Sequence, residues 1–198
     1  MEVVIGTVGC TLVHGIGTLF PFRTKDGANL MTCVVFQLFF LANCIRLLGM
    51  PPNEEASQGT LTNLDYLYGY FIYDFVYLFR INPKNIFILH HMVSMIIIHL
   101  IHYIGVPFHT IYNYTMICLL LECANPLLNA RHFLVNTNVY PLFMKITYYV
   151  FVLSRMILLP VYVKFLTDVM YAPPIWYCFG AVYAMSAFWT YSMRKLIQ

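Results

Sequence analysis

Apolar positions in this chain fall in long continuous runs separated by short polar turns. That pattern lacks both the alternation of a half-buried strand and the polar face of a surface helix. Seven runs come near the roughly 17–25 helical residues needed to span a hydrocarbon core: 1–20, 29–49, 64–79, 85–104, 109–130, 139–167 and 174–193. Pro21, Met50-Pro51-Pro52 and Pro107 stand where a helix cannot continue. Residues Asn53 to Asn63, with Glu54 and Glu55, read as a polar loop, and Pro160 is expected to interrupt the overlong sixth run. Gly6, Gly9, Gly15 and Gly17 permit close helix approach in the first. Barrel strands are excluded because the runs do not alternate. The prediction is a single all-α domain over 1–198, a multi-pass transmembrane helical bundle of about seven spans.

Composition turns this pattern into a statement about solvent. The chain is 61% hydrophobic and 10% charged, with a mean hydropathy of +0.72, against about 25% charged in a soluble domain. The bilayer is therefore its expected solvent, and membrane lipids its expected partners. Alternate turns hold Arg23, Lys25, Arg80, Lys84, Arg131, Arg194 and Lys195, whereas the others hold Glu2, Glu54, Glu55, Asp65 and Asp168 and no Lys or Arg. The positive-inside rule puts the basic set in the cytosol, the N-terminus in the lumen and the C-terminus in the cytosol. Topology thus accounts for the net charge of +3, and no nucleic-acid partner is expected. Glu2 stands where a signal peptide carries positive charge, so the first run is expected to be retained. Six cysteines without a CxxC pair suggest no disulfide framework.

Ionisable groups at membrane depth are the candidate chemistry. Asp74 lies six residues, about 9 Å, from Arg80, and His91 lies seven residues after Lys84 on the next, antiparallel run. Asp74 is expected to reach His90 or His91 and orient its imidazole. On the fifth run Glu122, Asn125 and Asn129 share one helical face, and Pro126 frees the carbonyl of Glu122. Arg155, near mid-membrane, needs a carboxylate or carbonyl partner, for which Glu122 is a candidate. Tyr70 and Tyr77 are either substrate-lining groups or packing aromatics. The bland reading of the Asp–His and Glu–Arg pairs is that they hold helices together. His14, His99, His102, His109 and His132 read as interhelical or interfacial groups. No metal is expected, because adjacent histidines diverge by about 100° on a helix. Phosphate-loop, HExxH and GxSxG motifs are absent.

Four segments, GYFIYDFVYL at 69–78, ILHHMVSM at 88–95, LLECANPLLNAR at 120–131 and SRMILLP at 154–160, resemble the TLC domain. That membrane family is shared by ceramide synthases, translocon-associated membrane proteins and a neuronal ceroid lipofuscinosis protein. The third segment is most similar to the small TLC-domain-containing branch. The resemblance implies a six-helix core around a lipid tunnel, an endoplasmic reticulum membrane, and catalytic roles for His90 and His91 with Asp74 as partner. In ceramide synthases the paired histidines serve acyl transfer from acyl-CoA to a long-chain amine. Their motif continues with a His-Asp pair, where this chain has Glu122-Cys123-Ala124-Asn125-Pro126.

Two readings follow. In the first the chain is an acyl-CoA-dependent acyltransferase acting on a lipid amine or hydroxyl. His90, His91 and Asp74 do the chemistry; Glu122, Asn125, Asn129, Arg155, Tyr70 and Tyr77 line the substrate; and Arg80, Lys84 and Arg131 hold the acyl-CoA headgroup. No cofactor is tightly bound and a homodimer is left open. The alternative is a non-catalytic lipid-binding protein that regulates membrane lipid composition or trafficking.

Overall fold

The structure, a computed structural model, describes residues 1–19, 26–82, 86–103, 108–166 and 173–197. Arg23, Lys25, Lys84 and Asp168 lie outside them. The described residues form helices and turns, without strands: α1 (Glu2–Gly17), α2 (Gly27–Leu48), α3 (Glu54–Ile81), α4 (Ile86–Tyr103), α5 (Phe108–Glu122), α6 (Asn125–Leu134), α7 (Tyr140–Phe151), α8 (Leu159–Leu166) and α9 (Pro173–Ile197). A π-helical stretch, Val152–Leu158, joins α7 to α8, so these form one long rod. Two segments, Gly27–Leu48 and Tyr140–Lys164, are each long and apolar enough to cross a membrane.

Six segments close into a ring: α2, α3, α4, α9, the α7–α8 rod and the α5–α6 pair, which packs back on α2. Helix α1 lies outside the ring against α2 and α3. Its contact with α3 is backbone to backbone. A Cβ on Gly69 would meet the Val3 carbonyl oxygen at 2.4 Å, and one on Gly6 would meet that of Tyr66 at 2.9 Å. Gly9 and Gly15 face open space, so only part of the glycine pattern serves packing. Large apolar side chains such as Leu38, Phe39, Leu142, Ile146 and Leu153 cover the outside, as suits a hydrocarbon surround.

Three sequence expectations need correction. The stretch expected as a loop from Asn53 is the start of α3: the Asn53 side chain accepts the Ala56 amide at 2.9 Å, and Glu54 and Glu55 occupy the first turn. A capped N-terminus with acidic residues favours helix. Of the polar residues that suggested a loop, Glu54, Glu55 and Gln58 are exposed, whereas Ser57, Thr60 and Asn63 are buried between helices, where Thr60 bonds Thr115 at 2.7 Å and Asn63 donates to the Cys44 sulfur at 3.3 Å. The fifth run, expected as one helix, breaks at Cys123–Ala124, because Pro126 cannot continue the α5 hydrogen-bond ladder and instead starts α6. The sixth run is not interrupted at Pro160. The preceding seven residues wind as a π-helix and absorb the missing amide.

Candidate functional site

Helices α3 and α4 place Asp74 and His91 side by side. Both are buried, and Asp74 Oδ2 lies 3.5 Å from His91 Nε2. This is longer than an ordinary N–H···O bond, although such contacts are often loose before substrate binds. The other carboxylate oxygen accepts from Asn29 Nδ2 at 3.3 Å and from the Cys33 thiol at 3.7 Å, both on α2. Nε2 is the ring nitrogen that His91 turns toward the carboxylate. The other ring nitrogen, Nδ1, is buried without a partner. His90 points elsewhere: it meets Trp189 edge-on at 5.3 Å and Phe71 at 6.2 Å, and its Nδ1 is likewise unpartnered. Of the two partners that the sequence left open for Asp74, the geometry selects His91.

The contact continues outward through a directed chain. Asn29 must turn its NH2 toward Asp74, so its Oδ1 faces Tyr73, whose hydroxyl donates to it at 2.8 Å. Tyr73 has spent its only proton, so the 2.6 Å bond to His14 Nδ1 is donated by His14. Helix α1 therefore reaches the carboxylate through two intermediates. The interhelical reading of His14 holds, and so does that of His102, which pairs with Asp65 at 3.1 Å.

Arg155 faces this dyad from the π-helical stretch. It is 1% exposed, and its Nη2 donates to Asn125 Oδ1 at 2.8 Å and to the Leu121 carbonyl. Phe151 and Trp189 lie 4.8 and 5.9 Å from the guanidinium carbon. Asn125 turns its other end to Glu122, donating from Nδ2 to Oε2 at 2.5 Å. The expected direct Glu122–Arg155 pair is thus replaced by an amide bridge, and the carbonyl that Arg155 uses is that of Leu121. The α5–α6 break is the cause, since it releases the Leu121 carbonyl and sets Asn125 between the two charges. Arg155 Nε and Nη1 have no partner.

Between the dyad and this bridge lies a cavity of about 340 Å³, more than twice the ~150 Å³ that holds a benzene. Its walls include Asp74, His90, His91, Tyr70, Glu122, Asn125, Asn129 and Arg155, and Arg131 stands at its rim. Asn129 reaches it by donating to Gln37 Oε1 at 3.0 Å, and Gln37 donates to the Tyr70 hydroxyl at 3.3 Å. Two proposed residues lie elsewhere. Tyr77 donates to Asp26 at 2.9 Å, and Arg80 is exposed at the end of α3. Neither lines the cavity: Tyr77 lies two turns beyond Tyr70 on nearly the same face, with its hydroxyl taken by Asp26, and Arg80 is in the last turn of the helix. Lys84 falls outside the described residues. A second, apolar cavity of about 40 Å³, lined by residues such as Ile97, Ile98, Ile117 and Phe179, adjoins the first across Phe71 and Glu122.

Sequence reasoning missed Asn29, Cys33 and Gln37, which also line the cavity. A signal was present: polar or thiol positions at i, i+4 and i+8 mark one face of an otherwise apolar helix. Trp189 had no signal, since an aromatic in an apolar run looks like packing. Among the described residues no group of three His, Cys, Asp or Glu is placed to hold a metal ion.

Comparison with curated proteins and with solved structures gave no match. The family model described as the TLC domain matches residues 26–195, which takes in all six ring segments and leaves α1 outside. The chain belongs to the TLC-domain family, and it is accordingly a membrane protein related to lipids.

Proposed function

We propose that the protein transfers an acyl group from acyl-CoA to a lipid amine or hydroxyl in the cavity between Asp74–His91 and Arg155. The observation that carries this reading is the Asp74–His91 contact in the wall of a chamber with polar and apolar sides, where His91 Nδ1 is buried without a partner. That atom takes the proton of the acceptor amine or hydroxyl as its N or O attacks the thioester carbonyl carbon. The carbon–sulfur bond breaks, and the CoA thiolate leaves with the proton returned by His91. Asp74 holds the ring in the required tautomer and stabilises the imidazolium, as the third member of a triad does. The apolar cavity behind Phe71 offers space for the start of an acyl chain, and Arg131 at the rim suits a phosphate of CoA. We also propose that the six ring segments and α1 all span the membrane, with the Arg80 and Arg131 end toward the cytosol and the endoplasmic reticulum as the host membrane.

The test is purified protein incubated with labelled acyl-CoA and a panel of lipid amines and alcohols. Labelled product from the wild type that His91→Ala abolishes is the expected result. No transfer to any acceptor, with cellular lipids unchanged by His91→Ala, overturns it. A second reading, non-catalytic lipid binding, draws on the saturation of Asp74 Oδ1 by Asn29 and Cys33, which suits a helix clamp. It separates from the first through His91→Gln, which keeps a donor for Asp74 but no base. Function survives that change under the second reading only.

A further inference from the structure

Two buried charges that stay apart call for an explanation. Arg155 and Glu122 lie on neighbouring walls of one cavity and are 1% and 3% exposed. Among the described residues, no ion pair joins Arg155 to Glu122. Asn125 occupies the gap, with its amide oxygen on Arg155 and its amide nitrogen on Glu122. If the pair served only to hold helices together, direct contact would gain the most Coulomb energy. The bridge instead keeps the two poles one amide width apart and leaves Arg155 Nε and Nη1 without partners. Buried donors are seldom left unpaired, and such a set calls for a group that completes it.

Charge balance narrows what that group is. Arg155 and Glu122 cancel, so a ligand of net charge would bring an uncompensated charge into a buried chamber. A ligand with both signs adds none. Its anionic oxygens would supply partners for the buried, unpartnered Nε and Nη1 of Arg155, and its ammonium one for the Glu122 carboxylate. Trp189 and Phe151 already stack on the guanidinium, so Arg155 keeps a fixed plane toward the ligand.

We propose that Arg155, Asn125 and Glu122 form a binding site for a zwitterionic ammonium–phosphate group, as found on a phospholipid head. This rests on the reading that the cavity takes lipid, but it does not require the histidines to be catalytic. It also assigns the polar end of the bound molecule to the Arg155 wall.

The test uses full-length protein in detergent without acyl-CoA, followed by thermal unfolding and native mass spectrometry. The added probes are phosphatidylethanolamine, phosphatidylcholine, phosphatidylglycerol, diacylglycerol and soluble phosphoethanolamine. Wild type should bind the two zwitterionic phospholipids about tenfold tighter than phosphatidylglycerol and gain no stability from diacylglycerol. Glu122→Gln, close in shape, removes the negative pole and should shift the preference to phosphatidylglycerol. His91→Ala should leave the selectivity as it is, so failure of acyl transfer and failure of this site are told apart. Stabilisation by phosphoethanolamine as strong as that by the phospholipids supports the same site with a soluble zwitterion as its source. Equal binding of phosphatidylglycerol and phosphatidylethanolamine by wild type, or an unaltered preference in Glu122→Gln, overturns the proposal.

Discussion

Substituting Gly69 by alanine tests whether α1 is part of the machinery or only an attachment. The new Cβ would lie 2.4 Å from the Val3 carbonyl oxygen and 2.9 Å from the Thr7 amide nitrogen. Both are backbone atoms, so neither can rotate away, and α1 must retreat until the first distance reaches at least the 3.4 Å of ordinary contact. That movement stretches the 3.1 Å bond from the Thr7 hydroxyl to the Gly69 carbonyl and, two turns along the same rigid helix, the 2.6 Å bond from His14 to Tyr73. Overpacking costs about 1–3 kcal/mol, and each lost hydrogen bond adds about 0.5–1.5 kcal/mol. Gly69→Ala should therefore destabilise by roughly 2–6 kcal/mol on these figures. Gly9→Ala and Gly15→Ala, at open positions on the same helix, should be neutral or stabilising by up to about 1 kcal/mol. Equilibrium unfolding of the three variants in mixed micelles gives the comparison. A Gly69→Ala cost within about 0.5 kcal/mol of the controls, the ordinary scale for surface changes, would refute the close-contact argument.

Other outcomes follow from the same geometry. Arg155→Met strands Asn125, the Leu121 carbonyl and the Glu122 charge in the interior, so unfolding free energy should fall by about 3–5 kcal/mol. A loss below ~1 kcal/mol would show that Arg155 is hydrated. Asn125→Leu removes the bridge at similar volume, and a double-mutant cycle with Glu122→Gln should give a coupling of about 0.5–3 kcal/mol; strict additivity would contradict the bridge. Phe71→Ala removes the ring between the two cavities and should lengthen the acyl chains found on copurifying lipid. Unchanged chain lengths by mass spectrometry would count against Phe71 as the partition. Asp74→Asn should lower acyl transfer by about 10⁴-fold, the scale set by losing the orienting carboxylate in a triad, and a loss under tenfold would remove Asp74 from that role.

The hairpin from Tyr70 to His91 was legible because charge patterning set the depth of each residue and a short turn joined the two helices. Depth and helical face together also collected Glu122, Asn125, Asn129 and Arg155. What stayed hidden depended on backbone detail. Polarity between Asn53 and Asn63 suggested a loop, yet Thr60 and Asn63 turn inward to bonds with Thr115 and Cys44, and hydropathy does not separate buried polar pairs from solvated ones. Pro126 and Pro160 looked equivalent, but one starts a new helix and the other is absorbed by a π-helical stretch. The resulting geometry inserts Asn125 between charges that sequence alone would pair. Tyr77 shows the limit of helix and face as guides: it shares the face of Tyr70 two turns on, but its hydroxyl is taken by Asp26.

The central claim is that a lipid chain occupies the interior of the helix ring with its reacting end at His91. Photoaffinity labelling with an acyl chain bearing a diazirine at its terminus, followed by peptide mapping, tests it most directly. The account predicts adducts on residues around the inner apolar cavity, such as Phe71, Ile98 and Cys118, competed away by unlabelled lipid. Adducts confined to outward-facing Leu38, Leu142 and Leu153 would contradict it.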